Sequence, residues 1–296
     1  MYSNTIVKRR SILKSIATSA ALFVTAPNAG AIAEQINSSA QETGKKINHA
    51  VCRWTYNFLP LEDLCKVAKN IGITAIDLVG QAEWAVLKKY GLDSSMCNGA
   101  EISLTEGWNN VQHHKTLIAN YTKHIDLVSA AGYRNLICFS GNRNGMADAQ
   151  GLENCTIGLS QIIKYAERRN VVIQMELFNS KIDHPDYMCD SSAWGIALCK
   201  KLGGENFKLL FDIYHMQINE GDIIRTIKNN HQYFGHYHTA GVPGRHEIDE
   251  NQELNYPAIM RAIVDTGYKG YVAQEFIPVA QNKIASLKKA IKICDV

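Results

Sequence analysis

What this 296-residue sequence lacks narrows its class quickly. No Gly-x-Gly-x-x-Gly follows the first strand-like run, which weakens a dinucleotide-binding reading. There is no Cys-x-x-Cys pair and no cysteine spacing of a small disulfide scaffold, so the eight cysteines read as structural thiols of a core. Cys52 and Cys138 sit in strand-like runs, Cys65 and Cys199 in helix-like ones. No linker splits the chain, and no internal repeat shows beyond an alternation of strand-like and helix-like segments. The apolar run near the N-terminus, Ile16 to Ala26, is too short to span a bilayer as a mature helix.

That run belongs to a different pattern. Lys8, Arg9, Arg10 and Lys14 precede it, and Ala29-Gly-Ala31 follows with the small-x-small signature of a signal-peptidase site. Residues 1–31 are therefore expected to be a secretory signal, and the Arg9-Arg10 pair resembles a twin-arginine signal. The expected destination is the periplasm. Residues 32–46 are polar and read as a flexible leader. The signal carries four bases and no acid, so the remainder has 27 Lys and Arg against 28 Asp and Glu. An excess of positive charge is thus also missing from the mature chain, which argues against a nucleic-acid surface. No membrane partner is expected for the mature form.

What is present is a large core. The chain is 46% hydrophobic and 20% charged, as suits a globular protein rather than a disordered one. Eight apolar, β-branched runs read as strands: 49–54, 74–79, 96–103, 135–140, 171–177, 208–213, 233–239 and 270–276. Helix-period stretches lie between them, among them 61–70, 113–131, 152–169, 191–202, 223–229 and 256–266. Gly72, Gly132, Gly203 and Gly267 each fall just past such a stretch, where a helix stop is expected. Eight strand–helix units in residues 47–296 predict one closed (β/α)8 TIM barrel, an α/β fold, rather than an open doubly wound sheet.

A barrel of this kind carries its chemistry at the C-terminal ends of its strands. The fifth candidate strand delivers Glu176 there, the sixth Asp212, the seventh His236 and His238, and the eighth Glu275. Glu176, Asp212, His238 and Glu275 follow one another at 36, 26 and 37 residues, each the length of one βα unit, so all four can meet at one mouth. A single acid at a strand end is as readily a helix cap or an ion-pair partner. Four in register are different, because burying that many carboxylates without a cation or partner costs several kcal/mol each. Two glutamates, an aspartate and a histidine suit Mn²⁺, Mg²⁺ or Co²⁺, with Zn²⁺ as a further option.

Longer motifs add a family. The runs Met175 to Tyr187 (MELFNSKIDHPDY), Phe211 to His215 (FDIYH), Gly235 to Glu247 (GHYHTAGVPGRHE) and Gln274-Glu275-Phe276 resemble the hydroxypyruvate isomerase family of the xylose isomerase-like barrels. The ketose 3-epimerases are close relatives of that family, and the resemblance covers roughly residues 50–295. It implies that Glu176, Asp212, His238 and Glu275 hold a divalent metal and that Glu176 and Glu275 exchange the proton. It also implies that His215 and Arg245 hold substrate oxygens and that the protein forms a homo-oligomer. Hydroxypyruvate isomerases resemble Gly-His-Ile-Gln on strand seven, whereas this chain has the histidine of the epimerases at position 238.

The implied activity is an aldose–ketose type isomerisation of hydroxypyruvate or a related small carbonyl sugar, through an enediolate. A ketose 3-epimerase needs nearly the same residues. An inosose-type dehydratase, a non-catalytic exported sugar-binding barrel and a phosphodiesterase of the endonuclease branch are the further alternatives. Lesser candidates complete the reading: Ser140 to Arg143, Asn179, His184 and Tyr187 near the pocket, and Trp54 and Trp108 as apolar walls. Trp84 and Trp194 read as helix or core residues, and His113-His114 as a helix opening. His236, one strand repeat deeper than His238, is expected to support the site rather than bind the ion.

Overall fold

The computed structural model describes residues 47–296; the expected signal at 1–31 and leader at 32–46 lie outside the described residues. Eight parallel strands close in sequence order: β1 (Asn48–Cys52), β2 (Ala75–Val79), β3 (Asp93–Cys97), β4 (Asn135–Cys138), β5 (Val172–Glu176), β6 (Phe207–Asp212), β7 (Phe234–Thr239) and β8 (Tyr271–Gln274). β8 pairs with β1, so no sheet edge is left among them.

The helices packed around the barrel are α1 (Leu61–Ile71), α2 (Trp84–Tyr90), α3 (His114–Ala131), α4 (Asp148–Arg168), α5 (Ser192–Leu202), α6 (Ile213–Asn219), α7 (Ile223–Asn230), α8 (Tyr256–Asp265) and α9 (Lys283–Cys294). Their ends follow local chemistry. Ser191 accepts a hydrogen bond from the Trp194 amide at the start of α5, and Asn255 accepts from Ala258 N at the start of α8. Gly72 ends α1 at φ 81°, a left-handed seat that glycine takes without side-chain cost.

The third strand differs from its sequence reading. It occupies Asp93–Cys97 rather than starting at Met96. Its first residues are polar, which hides them from a search for apolar runs, yet Ser94 and Ser95 are buried and bonded. Ser94 Oγ donates to Met96 O at 3.2 Å and Ser95 Oγ to Asp77 Oδ2 at 2.5 Å. Residues 98–103 are instead a loop at the barrel mouth. Helices α2 and α6 have seven residues each, too few to show a helical period.

Alternation along each strand sorts side chains between two regions. On β6 and β7, Leu209, Phe211 and Tyr237 pack with the helix layer, where Phe211 lies 4.5 Å from Phe234, ring to ring. The inward positions carry Asp212, His236 and His238. The small residues Ala50, Cys52, Ala75 and Ala273 form a separate buried cluster. All eight cysteines are buried free thiols. No described helix is long and apolar enough to cross a membrane.

Candidate active site

Four strands in a row place the expected acids and imidazole together. Glu176 ends β5, Asp212 ends β6, His238 lies beside Asp212 in the β6–β7 register, and Glu275 directly follows β8. One donor atom from each of the four lies within 4.8 Å of the others, and all four residues are buried. His238 Nδ1 is 3.1 Å from Glu176 Oε1 and 2.9 Å from Glu275 Oε2.

The charges there are strained against one another. Burial, reinforced by Glu275 and Glu176, pushes the Asp212 carboxyl up to about 8 despite the pull of Arg245. Burial also raises Glu176 above the usual carboxylate range, against the pull of His238. Glu275 goes the other way: burial opposes its charge, but Arg245 and His238 outweigh it and hold it well below the ordinary value. The Glu275 carboxylate is the most heavily contacted of the three. Trp54 Nε1 donates to its Oε1 at 2.8 Å, and Arg245 Nη2 donates to its Oε2. The same guanidinium nitrogen lies 3.4 Å from Asp212 Oδ2, and Arg245 sits between the Trp54 and Tyr214 rings. Its own backbone is left-handed, φ 59°, an uncommon seat for arginine that turns the loop after β7 back over the barrel.

In the first turn of α6 the His215 amide donates to Asp212 Oδ1 at 3.1 Å, so Asp212 is a helix cap as well as a member of the cluster. The histidine's tautomer follows from its neighbours. Asn179 Oδ1 accepts from the amides of Ile182 and Asp183, so its Nδ2 is the atom facing His215 Nδ1, at 2.7 Å. A donor there requires a bare Nδ1, which leaves the hydrogen on Nε2. Nε2 has no hydrogen-bond partner and lies 3.6 Å from Asp212 Oδ2.

Above the cluster opens a pocket of about 620 Å³. Trp54, Ile102, Leu104, Phe139 and Phe178 give it apolar walls, and His184 and Arg245 reach it as polar groups. His184 stacks on Phe178 at 4.1 Å. The other lesser candidates are structural. Trp108 is fully buried against Tyr121 and His114 rather than forming a wall. Tyr187 bridges Ser140 N and Glu176 O through its hydroxyl, Asn179 is fully buried, and Arg143 ties Asp148 to Asp190. His114 is the first residue of α3, as a helix opening requires.

Sequence reading missed Asp77. It stands in the apolar strand Ala75-Ile-Asp-Leu-Val79 and is fully buried beneath His238. Its Oδ1 is 2.9 Å from His238 Nε2 and its Oδ2 is 2.9 Å from His236 Nε2. The signal was available: an acid inside an otherwise apolar barrel strand demands a buried partner.

Fold and site together define a (β/α)8 barrel with a buried carboxylate–imidazole cluster at its C-terminal mouth. Residues 62–294 match the model of the xylose isomerase-like TIM barrel family, and the chain belongs to that family. It is similar to the 2-oxo-tetronate isomerase of Cupriavidus necator, 39% identical over 115 residues, which are 39% of this chain and 44% of that protein. It is also similar to a human protein named as a hydroxypyruvate isomerase, 35% identical over 111 residues, 38% of this chain and 40% of that one. These alignments span less than half the length of the curated relatives. A solved structure of an AP endonuclease, family 2, from Brucella melitensis superimposes with a TM-score of 0.72 at 21% identity, covering 81% of this chain and 96% of that one. At that identity the likeness is one of fold.

Proposed function

We propose that this protein is a metal-dependent isomerase of small hydroxy-carbonyl substrates of the hydroxypyruvate or 2-oxo-tetronate kind. The observation that carries the reading is the convergence of Glu176, Asp212, His238 and Glu275 within 4.8 Å in a buried site. The donor set fits a divalent cation: three facing carboxylates, two of them pushed up by burial and mutual repulsion, and one imidazole nitrogen aimed at them. Such an ion, Mn²⁺, Mg²⁺ or Co²⁺, with Zn²⁺ less suited to the oxygen-rich set, would supply Lewis acidity toward the substrate carbonyl and the neighbouring hydroxyl.

The chain's own groups do the rest. A carboxylate of the Glu176–Glu275 pair takes the proton from the carbon bearing the hydroxyl, giving an enediolate, and a proton returns to the former carbonyl carbon. The hydroxyl proton passes to the former carbonyl oxygen, so the product is an isomer. His215 offers a neutral Nε2–H to a substrate oxygen, since burial and Arg245 hold its imidazole well below the ordinary range. Arg245 presents a planar fork suited to a substrate carboxylate, a group that hydroxypyruvate and 2-oxo-tetronate share. The apolar walls limit water around the enediolate.

The second reading is a ketose 3-epimerase, favoured by histidine rather than glutamine at position 238. An epimerase returns the proton to the opposite face of the same carbon. A panel of hydroxypyruvate, 2-oxo-tetronate, ketopentoses, ketohexoses and inososes with Mn²⁺ separates the readings. Activity on the two keto acids is expected. Turnover of ketoses alone would replace the isomerase by the epimerase. Chelation should abolish activity and Mn²⁺ should restore it; full activity in excess chelator would end the metal assignment. The same proposal includes export by the twin-arginine route to the periplasm and a homo-oligomeric state. N-terminal sequencing of the periplasmic protein and light scattering test these two points.

A further inference from the structure

Two irregularities in the barrel flank one residue. In the β2–β3 ladder, Ile76 pairs with Ser94 and Asp77 with Met96, so Ser95 is left over; Asp77 and Val79 then pair with Met96 and Cys97, so Leu78 is left over. Leu78 takes a left-handed backbone, φ 55°, and reaches the pocket. Bulges of this kind re-aim side chains next to functional sites, and a non-glycine residue held at positive φ is strain that the surroundings must maintain. Their joint effect is to keep Asp77 pointing into the lumen with Ser95 Oγ against its Oδ2 at 2.5 Å.

Asp77 touches no part of the pocket, and every polar contact that it makes is to a donor. Ser95 Oγ donates to Oδ2, where His236 Nε2 also lies; Cys52 Sγ donates to Oδ1 at 3.4 Å, where His238 Nε2 also lies. A carboxylate oxygen can only accept, so His238 Nε2 carries a hydrogen toward Asp77, and Nδ1 is the nitrogen that faces Glu176 and Glu275. We propose that Asp77 is a positioning residue: it holds the Nε2–H of His238 and fixes the ring orientation so that Nδ1 is the nitrogen turned toward the three carboxylates, where it can act as a metal donor. His236 Nε2 lies 2.9 Å from the other Asp77 oxygen, outside hydrogen-bond geometry, and packs beside the clamp. Outer partners of this sort orient a ligating imidazole and change metal affinity by about 10–100-fold when removed. The inference rests on the metal reading above only for the purpose of the clamp, because the Nε2–H contact to Asp77 is already made in the metal-free chain, where Glu176 and Glu275 hold a second hydrogen on Nδ1 that an ion would replace.

The experiment uses the mature protein with Asp77→Ala and Asp77→Asn. Mn²⁺ affinity is measured by the electron paramagnetic resonance signal of free Mn²⁺, and the imidazole nitrogens are read by ¹H–¹⁵N spectra of the metal-free protein. Asp77→Ala should weaken Mn²⁺ binding about 10–100-fold and remove the hydrogen-bonded Nε2–H signal of His238. Asp77→Asn, which keeps one acceptor oxygen, should fall between it and the wild type. If Asp77→Ala does not fold, the isosteric Asp77→Asn decides, and wild-type affinity with an unchanged His238 spectrum overturns the proposal. The same pair of results from a folded Asp77→Ala also overturns it, leaving Asp77 a structural residue. A wild-type chain that binds no Mn²⁺ overturns the metal assignment instead, and the spectra then decide the clamp alone.

Discussion

The lumen of the barrel mouth and the layer between barrel and helices are built from the same strands, yet they obey opposite rules. On β6 and β7 the outward residues Leu209, Phe211 and Tyr237 give the layer an apolar packing that loses nothing by being dry. The inward residues Asp212, His236 and His238, joined by Asp77, Glu176 and Glu275, place charge where water is scarce. The layer stabilises the fold. The lumen costs stability, which the layer must offset, and it keeps carboxylates at protonation states that water would not allow.

Substitutions in the two regions should therefore separate activity from stability. Glu275→Gln is expected to lower turnover by about 10²–10⁴-fold, the worth of a positioned acid or base, while the protein stays folded. Near-normal turnover would remove Glu275 from the proton-transfer pair. Phe211→Ala, in the layer, should cost about 3–5 kcal/mol of unfolding free energy and leave the rate per folded molecule close to wild type. A large loss of rate at full folding would blur the division between the regions.

The next contrast lies in pH. The Asp212 carboxyl is raised from its ordinary value to about 8 in the folded, metal-free chain, so folding favours its protonated form. Its stabilising contribution is complete below the unfolded value, near 4, and is lost as pH rises through about 8. Asp212→Asn, which mimics the protonated acid, should remove that part of the pH dependence in urea melts. Identical slopes for both proteins between those limits would contradict the raised carboxyl. The smallest effect is expected for Trp54→Phe. It removes the donor to Glu275 Oε1 and should lower turnover by about 10-fold, the worth of a hydrogen bond to a charged group, with stability almost unchanged. Unchanged kinetics would make Trp54 a wall only.

How much of this was legible in the sequence follows the same division. Strands of the layer announce themselves as apolar runs, and all eight were visible, though β3 was read too late because Ser94 and Ser95 occupy buried places with polar side chains. The three acids and one imidazole of the mouth were visible because each ends such a run at the spacing of one βα unit. Asp77 was not, since it sits in mid-strand and its partners come from β7, 159 and 161 residues away, and from β3 across a bulge. The tautomer of His215 was equally invisible. It depends on which way the Asn179 amide points, and only the amides of Ile182 and Asp183 settle that.

The eight buried free thiols have a consequence of their own. They are spread over the barrel, from Cys52 on β1 and Cys138 on β4 to Cys155 on α4, Cys199 on α5 and Cys294 at the end of α9. An alkylating reagent can reach each of them only when its own sector opens. The rate at which each thiol is capped, read by mass, is thus a residue-by-residue gauge of how often that sector breathes, with no probe added to the chain.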